Sequence, residues 1–155
     1  MAAVFVLVAV GVVYLRSQVL DIATVSSDSM APTVCTGDTV VVVRLDQPNT
    51  IEVDDIVTFP SPQDGGQTIK RVVAVAGQSV AIHDAELVVD GKTVDEPYVD
   101  HATIDGVYFG TVNVPSGMVF VMGDQRETSI DSRAYGPIAT SAIDGRLLWD
   151  LPWGC

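Results

Sequence analysis

The stretch Val25-Ser26-Ser27-Asp28-Ser29-Met30-Ala31-Pro32-Thr33 leads through Gly37-Asp38 into Thr39-Val40-Val41-Val42-Val43, and this pattern runs through the chain. Serines, a proline and a glycine between apolar runs read as a turn feeding a strand. Valine suits that strand because its branched Cβ packs well on a pleated backbone. The pattern recurs. Ile56-Val57-Thr58-Phe59 closes at Pro60-Ser61-Pro62, and Asp64-Gly65-Gly66 opens a run over 67–75. Gly77-Gln78 breaks that run before Val80-Ala81-Ile82. Leu87-Val88-Val89, Asp90-Gly91 and Lys92-Thr93-Val94 form a tight hairpin with a type I′ turn, and Val119-Phe120-Val121-Met122 is a buried strand. Heptads, internal repeats and low-complexity linkers are absent from the sequence. The expected fold is all-β, a compact and irregular β-barrel-like domain.

The 155 residues suffice for one domain with a core and a short appendage. They are 48% hydrophobic, with a mean hydropathy of +0.36. The net charge of -12 leaves no basic footprint for DNA or RNA, so nucleic acid is not an expected partner. Cys35 and Cys155 form no CxxC, and His83 and His101 lie far from both in the chain, so no metal site is expected. Two readings of the cysteines stay open. Outside the cytoplasm they can form a disulfide, worth roughly 4–5 kcal/mol in the chain-entropy model; otherwise they are two thiols.

Residues 2–15, AAVFVLVAVGVVYL, carry no charge. As a helix they would cover roughly 21 Å at 1.5 Å per residue, against a hydrocarbon core of about 30 Å. This reads as an N-terminal transmembrane anchor, either truncated or continuing weakly past Arg16 through Val19, Leu20 and Ile22. A cleavable signal peptide is the competing reading, but a basic leading region and a small-x-small site after Leu15 are both missing. No Lys or Arg precedes the run, so the positive-inside rule does not orient it. The expected division is a membrane anchor over 1–20 and an extracytoplasmic domain over 21–155.

Three features offer chemistry, and each also has a plain structural reading. Ser29 sits in a turn where a hydroxyl can simply bond its own backbone. Lys70 lies in an apolar run beside Ile69, Val72 and Val73, where it could merely guard a strand edge. The polar segment Gly123-Asp124-Gln125-Arg126-Glu127-Thr128-Ser129-Ile130-Asp131-Ser132-Arg133 could be a salt-bridged surface loop.

In order, however, Ser-Met-x-Pro-Thr, then Lys-Arg-Val-Val, then Gly-Asp-x-Arg-x-x-Ser-x-Asp-Ser-Arg resembles the type I signal peptidases, the membrane-anchored Ser/Lys peptidases that remove signal peptides from exported proteins. The similarity covers nearly the whole chain, including the Gly37-Asp38 strand, Asp55-Ile56-Val57, Val89-Asp90-Gly91-Lys92 and Glu96-Pro97-Tyr98. It implies Ser29 as nucleophile and Lys70 as general base, with no cofactor. A serine hydroxyl needs a base, and lysine serves once burial depresses its pKa. The resemblance further implies an oxyanion hole from the Ser29 N–H and the Ser27 hydroxyl, Ser129 orienting the lysine, and a structural Asp131–Arg133 pair. Asp124 and Arg126 would be scaffolding. Gln125 stands where the family usually has Asn, which changes that loop's packing but no catalytic role.

The implied substrates are signal peptides ending in a small-x-small site, and the second partner is the lipid bilayer. Shallow apolar pockets would accept alanine and reject larger side chains. Met30 and Ile69 are candidates for the first pocket, with Val25 and Val34 nearby; ordinary core is the alternative for all four. Strands beside Ser29 and Lys70 could hold the peptide by strand addition. The implied location is the cell membrane, single-pass, with the catalytic domain on the extracytoplasmic side. The short segment over 77–117 resembles the minimal Gram-positive forms, and Lys70 argues against the branch that uses His as base. A self-cleaving repressor-type Ser/Lys protease would need a DNA-binding helical domain and no anchor. A maturation peptidase dedicated to one substrate, and a non-catalytic tethered β-domain that binds exported peptides, remain as alternatives.

Overall fold

The computed structural model describes residues 19–45, 51–101 and 108–148. Among them eleven strands run in chain order: β1 Leu20–Thr24, β2 Thr39–Arg44, β3 Ile56–Pro60, β4 Gln67–Val75, β5 Ser79–His83, β6 Glu86–Val89, β7 Lys92–Thr93, β8 Phe109–Asn113, β9 Met118–Met122, β10 Ile138–Ala139 and β11 Gly145–Leu147. A four-residue helix, α1, spans Ser132–Tyr135.

Seven strands form one antiparallel sheet in the order β1-β2-β11-β3-β4-β9-β10, and four form a second in the order β7-β6-β5-β8. The first sheet curls into a half-barrel with two edges, β1 and β10, in keeping with the barrel-like expectation. All-β is the outcome.

Alternation along the central strands explains the layering, because successive side chains leave a strand on opposite faces. On β9, Phe120 and Met122 join Val80, Ile82 and Leu87 of the second sheet. Val119 and Val121 turn the other way, toward Val57, Phe59, Ile138 and Ile143. Strand β4 likewise has both faces covered and buries six consecutive residues, Ile69 to Ala74. Such a strand buries successive positions instead of alternating, here with Lys70 and Arg71 among them. A bulge between Val72 and Ala74 lets Val73 and Ala74 both join the cluster beneath the second sheet.

The 87–94 hairpin turns through Asp90 at φ 51° and Gly91 at φ 75°, the double positive φ that a type I′ turn requires. Leu20 belongs to β1 and not to an anchor. The rest of the expected anchor, residues 1–18, lies outside the described residues, as does Cys155 and with it the Cys35–Cys155 pairing. Among the described residues no helix is long and apolar enough to cross a membrane.

Candidate active site

Ser29 is displayed by the loop over 25–38, which joins β1 to β2. Its ends are tied together, Val25 N–H donating to Asp38 O and Gly37 N–H to Val25 O, both at 2.8 Å. Gly37 makes the closing turn at φ 93°, a backbone region that side chains disfavour. Inside the loop, Val34 N–H donates to Met30 O at 2.9 Å, and the Asp28 carboxylate accepts from Thr36 N–H at 3.1 Å. The Ala31–Pro32 bond is cis. The loop is thus braced from within before it meets anything else.

Strand β4 and the loop after β9 hold it in place. Ser29 O accepts from Gln125 N–H at 3.2 Å, so Gln125 carries its link through the backbone. Thr33 Oγ1 donates to Asp124, whose carboxylate is gripped by Arg71 at 2.9 and 2.7 Å. The Arg71 guanidinium also sits 3.9 Å from the Tyr98 ring centre. Strand β4 therefore places adjacent residues on opposite errands: Arg71 anchors the loop through Asp124, while Lys70 faces the nucleophile.

Lys70 is 2% exposed, and its Nζ lies 2.7 Å from Ser29 Oγ. It also lies 2.9 Å from Ile69 O and 3.3 Å from Thr68 Oγ1. Burial pushes its pKa down, against the opposing charges of Asp131 and Asp124. Those carboxylates already belong to arginines: Asp124 to Arg71, and Asp131 to Arg133 at 2.8 Å on each oxygen. Their negative charge is spoken for, which leaves desolvation as the largest influence on the amine. The product is a buried amine whose charged form is less favoured than in water, in hydrogen-bond contact with a half-buried serine hydroxyl.

Asp131 also caps α1 by accepting from Arg133 N–H, and it accepts from Gly123 N–H at 3.1 Å. Arg133 reaches back to Arg126 O at 2.8 Å. Arg126 pairs with the fully buried Glu96 and donates to Gly123 O at 3.0 Å. Asp124, Arg126, Asp131 and Arg133 thus hold Gly123 and its neighbours in place.

Ser27 Oγ stands 3.4 Å from Ser29 Oγ on the same wall. The Ser129 Oγ is buried and makes no hydrogen bond, while the contacts of the amine are Ser29 Oγ, Thr68 Oγ1 and the Ile69 carbonyl.

Two clefts share Ser26, Ser27, Gln67 and Thr68 beside the dyad. One, about 190 Å³, is lined by Val25, Ser26, Ser27, Thr68 and Ile69 together with Val40. The other, about 340 Å³, contains Ser29 and Lys70 and runs between Gln63 and Asp64 on one side and Thr128, Ile130 and Tyr135 on the other. Of the four expected pocket residues, Val25 and Ile69 line the first cleft. Met30 and Val34 line neither; the bridge between their backbones turns both side chains into the core under the loop, 0% and 4% exposed. Thr68 was missed as a site residue. Its signal was its place two positions before Lys70, which on a strand means the same face.

The family model described as signal peptidase, peptidase S26, matches residues 1–151. A signal peptidase I of Mycobacterium tuberculosis is 45% identical over 87 residues, a match taking in 50% of this chain and 30% of that protein. The protein named signal peptidase I V of Bacillus subtilis is 37% identical over 130 residues, covering 76% of this chain and 77% of the relative. A crystal structure of a signal peptidase I from Enterococcus faecalis superimposes with a TM-score of 0.58 at 30% identity, covering 63% of this chain and 97% of that one.

Proposed function

Given that this chain belongs to the signal peptidase, peptidase S26, family, we propose that it is a membrane-anchored serine endopeptidase that removes signal peptides from exported proteins after a small-x-small site. The observation that carries this reading is the 2.7 Å contact between Ser29 Oγ and the buried Lys70 amine. A lysine held out of water is biased toward the neutral form, and a neutral amine beside a serine hydroxyl is a nucleophile–base pair.

In the proposed cycle the Ser29 proton passes to Lys70 Nζ as Oγ attacks the carbonyl carbon of the scissile bond. The negative charge on the carbonyl oxygen is met by the Ser29 N–H and the Ser27 hydroxyl; donors of this kind contribute a few kcal/mol, about 3 or so each. The Lys70 ammonium then gives its proton to the departing amine, which becomes the new N-terminus of the mature protein. Lys70 next takes a proton from water, which attacks the acyl ester, and returns it to Ser29. The groove lined by Val25 and Ile69 is apolar and small, which suits alanine-sized residues before the cut. Strand β1, at the sheet edge and mostly exposed, lies beside it and supports binding of an extended peptide by strand addition.

The test is cleavage of a precursor with an Ala-x-Ala site in detergent or lipid by wild type, Ser29→Ala and Lys70→Ala. Both variants should lose at least about 10³-fold in kcat/KM. Cleavage by both at the wild-type rate would overturn the dyad. The proposed setting is a single-pass membrane protein with the catalytic domain on the extracytoplasmic side; deleting residues 1–20 should release it from membranes, and retention would count against that anchor.

A further inference from the structure

We propose that the substrate groove continues past its apolar part into a subsite for a cationic side chain on the fifth residue before the cut, with Asp144 as the group that selects it. The inference rests on the peptidase reading and extends it along the same groove.

The starting observation is a third cleft, of about 370 Å³, which shares Ala23, Thr58 and Gln67 with the groove that holds Val25 and Ile69. Asp21 and Ala23, Val40 and Val42, and Gln67 and Ile69 are each two apart on their strands, so the members of each pair face the same way. One of each pair lines the groove and the other lines the cleft or both, so the cleft carries the groove's floor onward. A peptide laid beside β1 advances with the same rise, about 6.6–6.8 Å per two residues, and turns alternate side chains to that floor. With its first and third residues before the cut facing Val25 and Ala23, its fifth faces Asp21 and the third cleft.

The chemistry changes along this path. Near the dyad the floor is apolar, whereas the far cleft is bordered by Asp21, Arg44 and Asp144. Asp21 is matched by Arg44 at 3.2 Å. Asp144 Oδ2 accepts from Gln67 Nε2 at 3.1 Å, a neutral amide that orients the carboxylate without cancelling its charge. The Asp144 N–H donates to Thr58 O at 2.9 Å, which fixes the residue to the wall. Two carboxylates against one guanidinium leave the cleft negative. A lysine suits it, because Ala23 and Val42 can cover the methylenes while the ammonium reaches the carboxylate. A glutamate there would meet Asp144 with like charge, and Arg44 is already engaged.

The test is kcat/KM of the full-length protein in detergent on precursor peptides with an Ala-x-Ala site. They carry Lys, Ser or Glu at the fourth, fifth or sixth position before the cut. Wild type should favour Lys over Glu at the fifth position by about tenfold, since attraction and repulsion at an exposed carboxylate each contribute up to about fivefold. The ratio should be smaller at the fourth and sixth positions and should shrink as salt is raised. Asp144→Asn keeps an acceptor for Gln67 and removes the charge, so the ratio should fall to about threefold or less while the Ser peptide is cut as before. Asp144→Lys should invert the preference. Asp90→Asn, in the hairpin of the second sheet, removes the same charge outside the groove and should keep the wild-type ratio. A wild-type ratio near one, a larger ratio at the fourth position, or a ratio unmoved by Asp144→Asn or lowered equally by Asp90→Asn would overturn the proposal. A preference for Glu would hand the cleft to Arg44 and overturn it as well. Cleavage without a Lys/Glu difference removes the subsite alone; no cleavage of any peptide in the series removes the peptidase reading beneath it.

Discussion

Gly123 sits where β9 hands the chain to the loop that closes the site, and Gly123→Ala tests how tightly that closure controls the nucleophile. A Cβ built at 123 would lie 2.6 Å from Ser129 Cβ and nearer still to Ser129 Oγ and the Ser29 carbonyl oxygen, all inside the 3.0 Å that real Cβ atoms respect. Ser129 can shift its side chain; the Ser29 carbonyl is backbone and cannot turn away. It is held by Gln125 N–H from the same loop, so relief requires moving the Ser29 peptide by roughly 0.5–1 Å to reach ordinary contact. A displacement of about 1 Å in a reacting group costs about 10²-fold in rate, close to 3 kcal/mol of barrier. Overpacking should cost about 1–3 kcal/mol of stability as well. The assay is kcat/KM on a precursor peptide alongside urea unfolding. Gly110→Ala, on β8 with nothing within 4 Å of the added carbon, is the control. The double variant Gly123→Ala with Ser129→Ala should stay slow, because the clash with the Ser29 carbonyl persists. Wild-type kcat/KM in a folded Gly123→Ala protein would refute the coupling.

Lys70→Met should raise stability at neutral pH by about 0.5–2 kcal/mol at the expense of activity. The sign follows from burial: the folded state holds Lys70 below its ordinary 10.5, so the unfolded chain binds more protons up to that pH. Wild-type stability should therefore climb with pH from the depressed value to about 10.5, and the gap to Lys70→Met should narrow. Melting curves at neutral and alkaline pH check this, and a gap constant with pH would contradict it. Glu96→Gln removes one charge from a pair with Arg126 that is buried on both sides, and should cost about 3–5 kcal/mol by leaving the guanidinium uncompensated. A urea midpoint shift at constant m-value measures it; a shift below about 1 kcal/mol would mean that the pair is wetter than its burial indicates.

Local signals served the central strands well. The run over 67–75 was bounded by Gly66 and Gly77, and β4 matches it end to end. The hairpin at Asp90-Gly91 was equally clear because a type I′ turn demands those residues. Strand β1 overlaps the expected anchor at Leu20 alone, and it carried no strand signal of its own, since an exposed edge strand has no apolar alternation to separate it from the run before it. Strands β10 and β11, of two and three residues, are too short to carry any period. At the site, Ser29 and Lys70 were legible through motif order, whereas the partners of the amine were not. Ile69 acts there through its carbonyl, which no side chain announces. Thr68 belongs to no motif, and Ser129, expected to orient the lysine, makes no hydrogen bond through its hydroxyl. Met30 was adjacent to the nucleophile in sequence, but the bridge to Val34 turns it inward.

The two neighbouring basic residues of β4 give strand pairing a second meaning. A slip of one residue between β3 and β4 would exchange the faces of Lys70 and Arg71. The guanidinium would then stand against Ser29, and because it stays protonated at any physiological pH it could not accept a proton. Such a protein could remain folded and be inert. Single-residue insertions and deletions should accordingly divide sharply by place: in the exposed 61–66 turn they leave the parity of β4 intact, while between Thr68 and Lys70 they invert it.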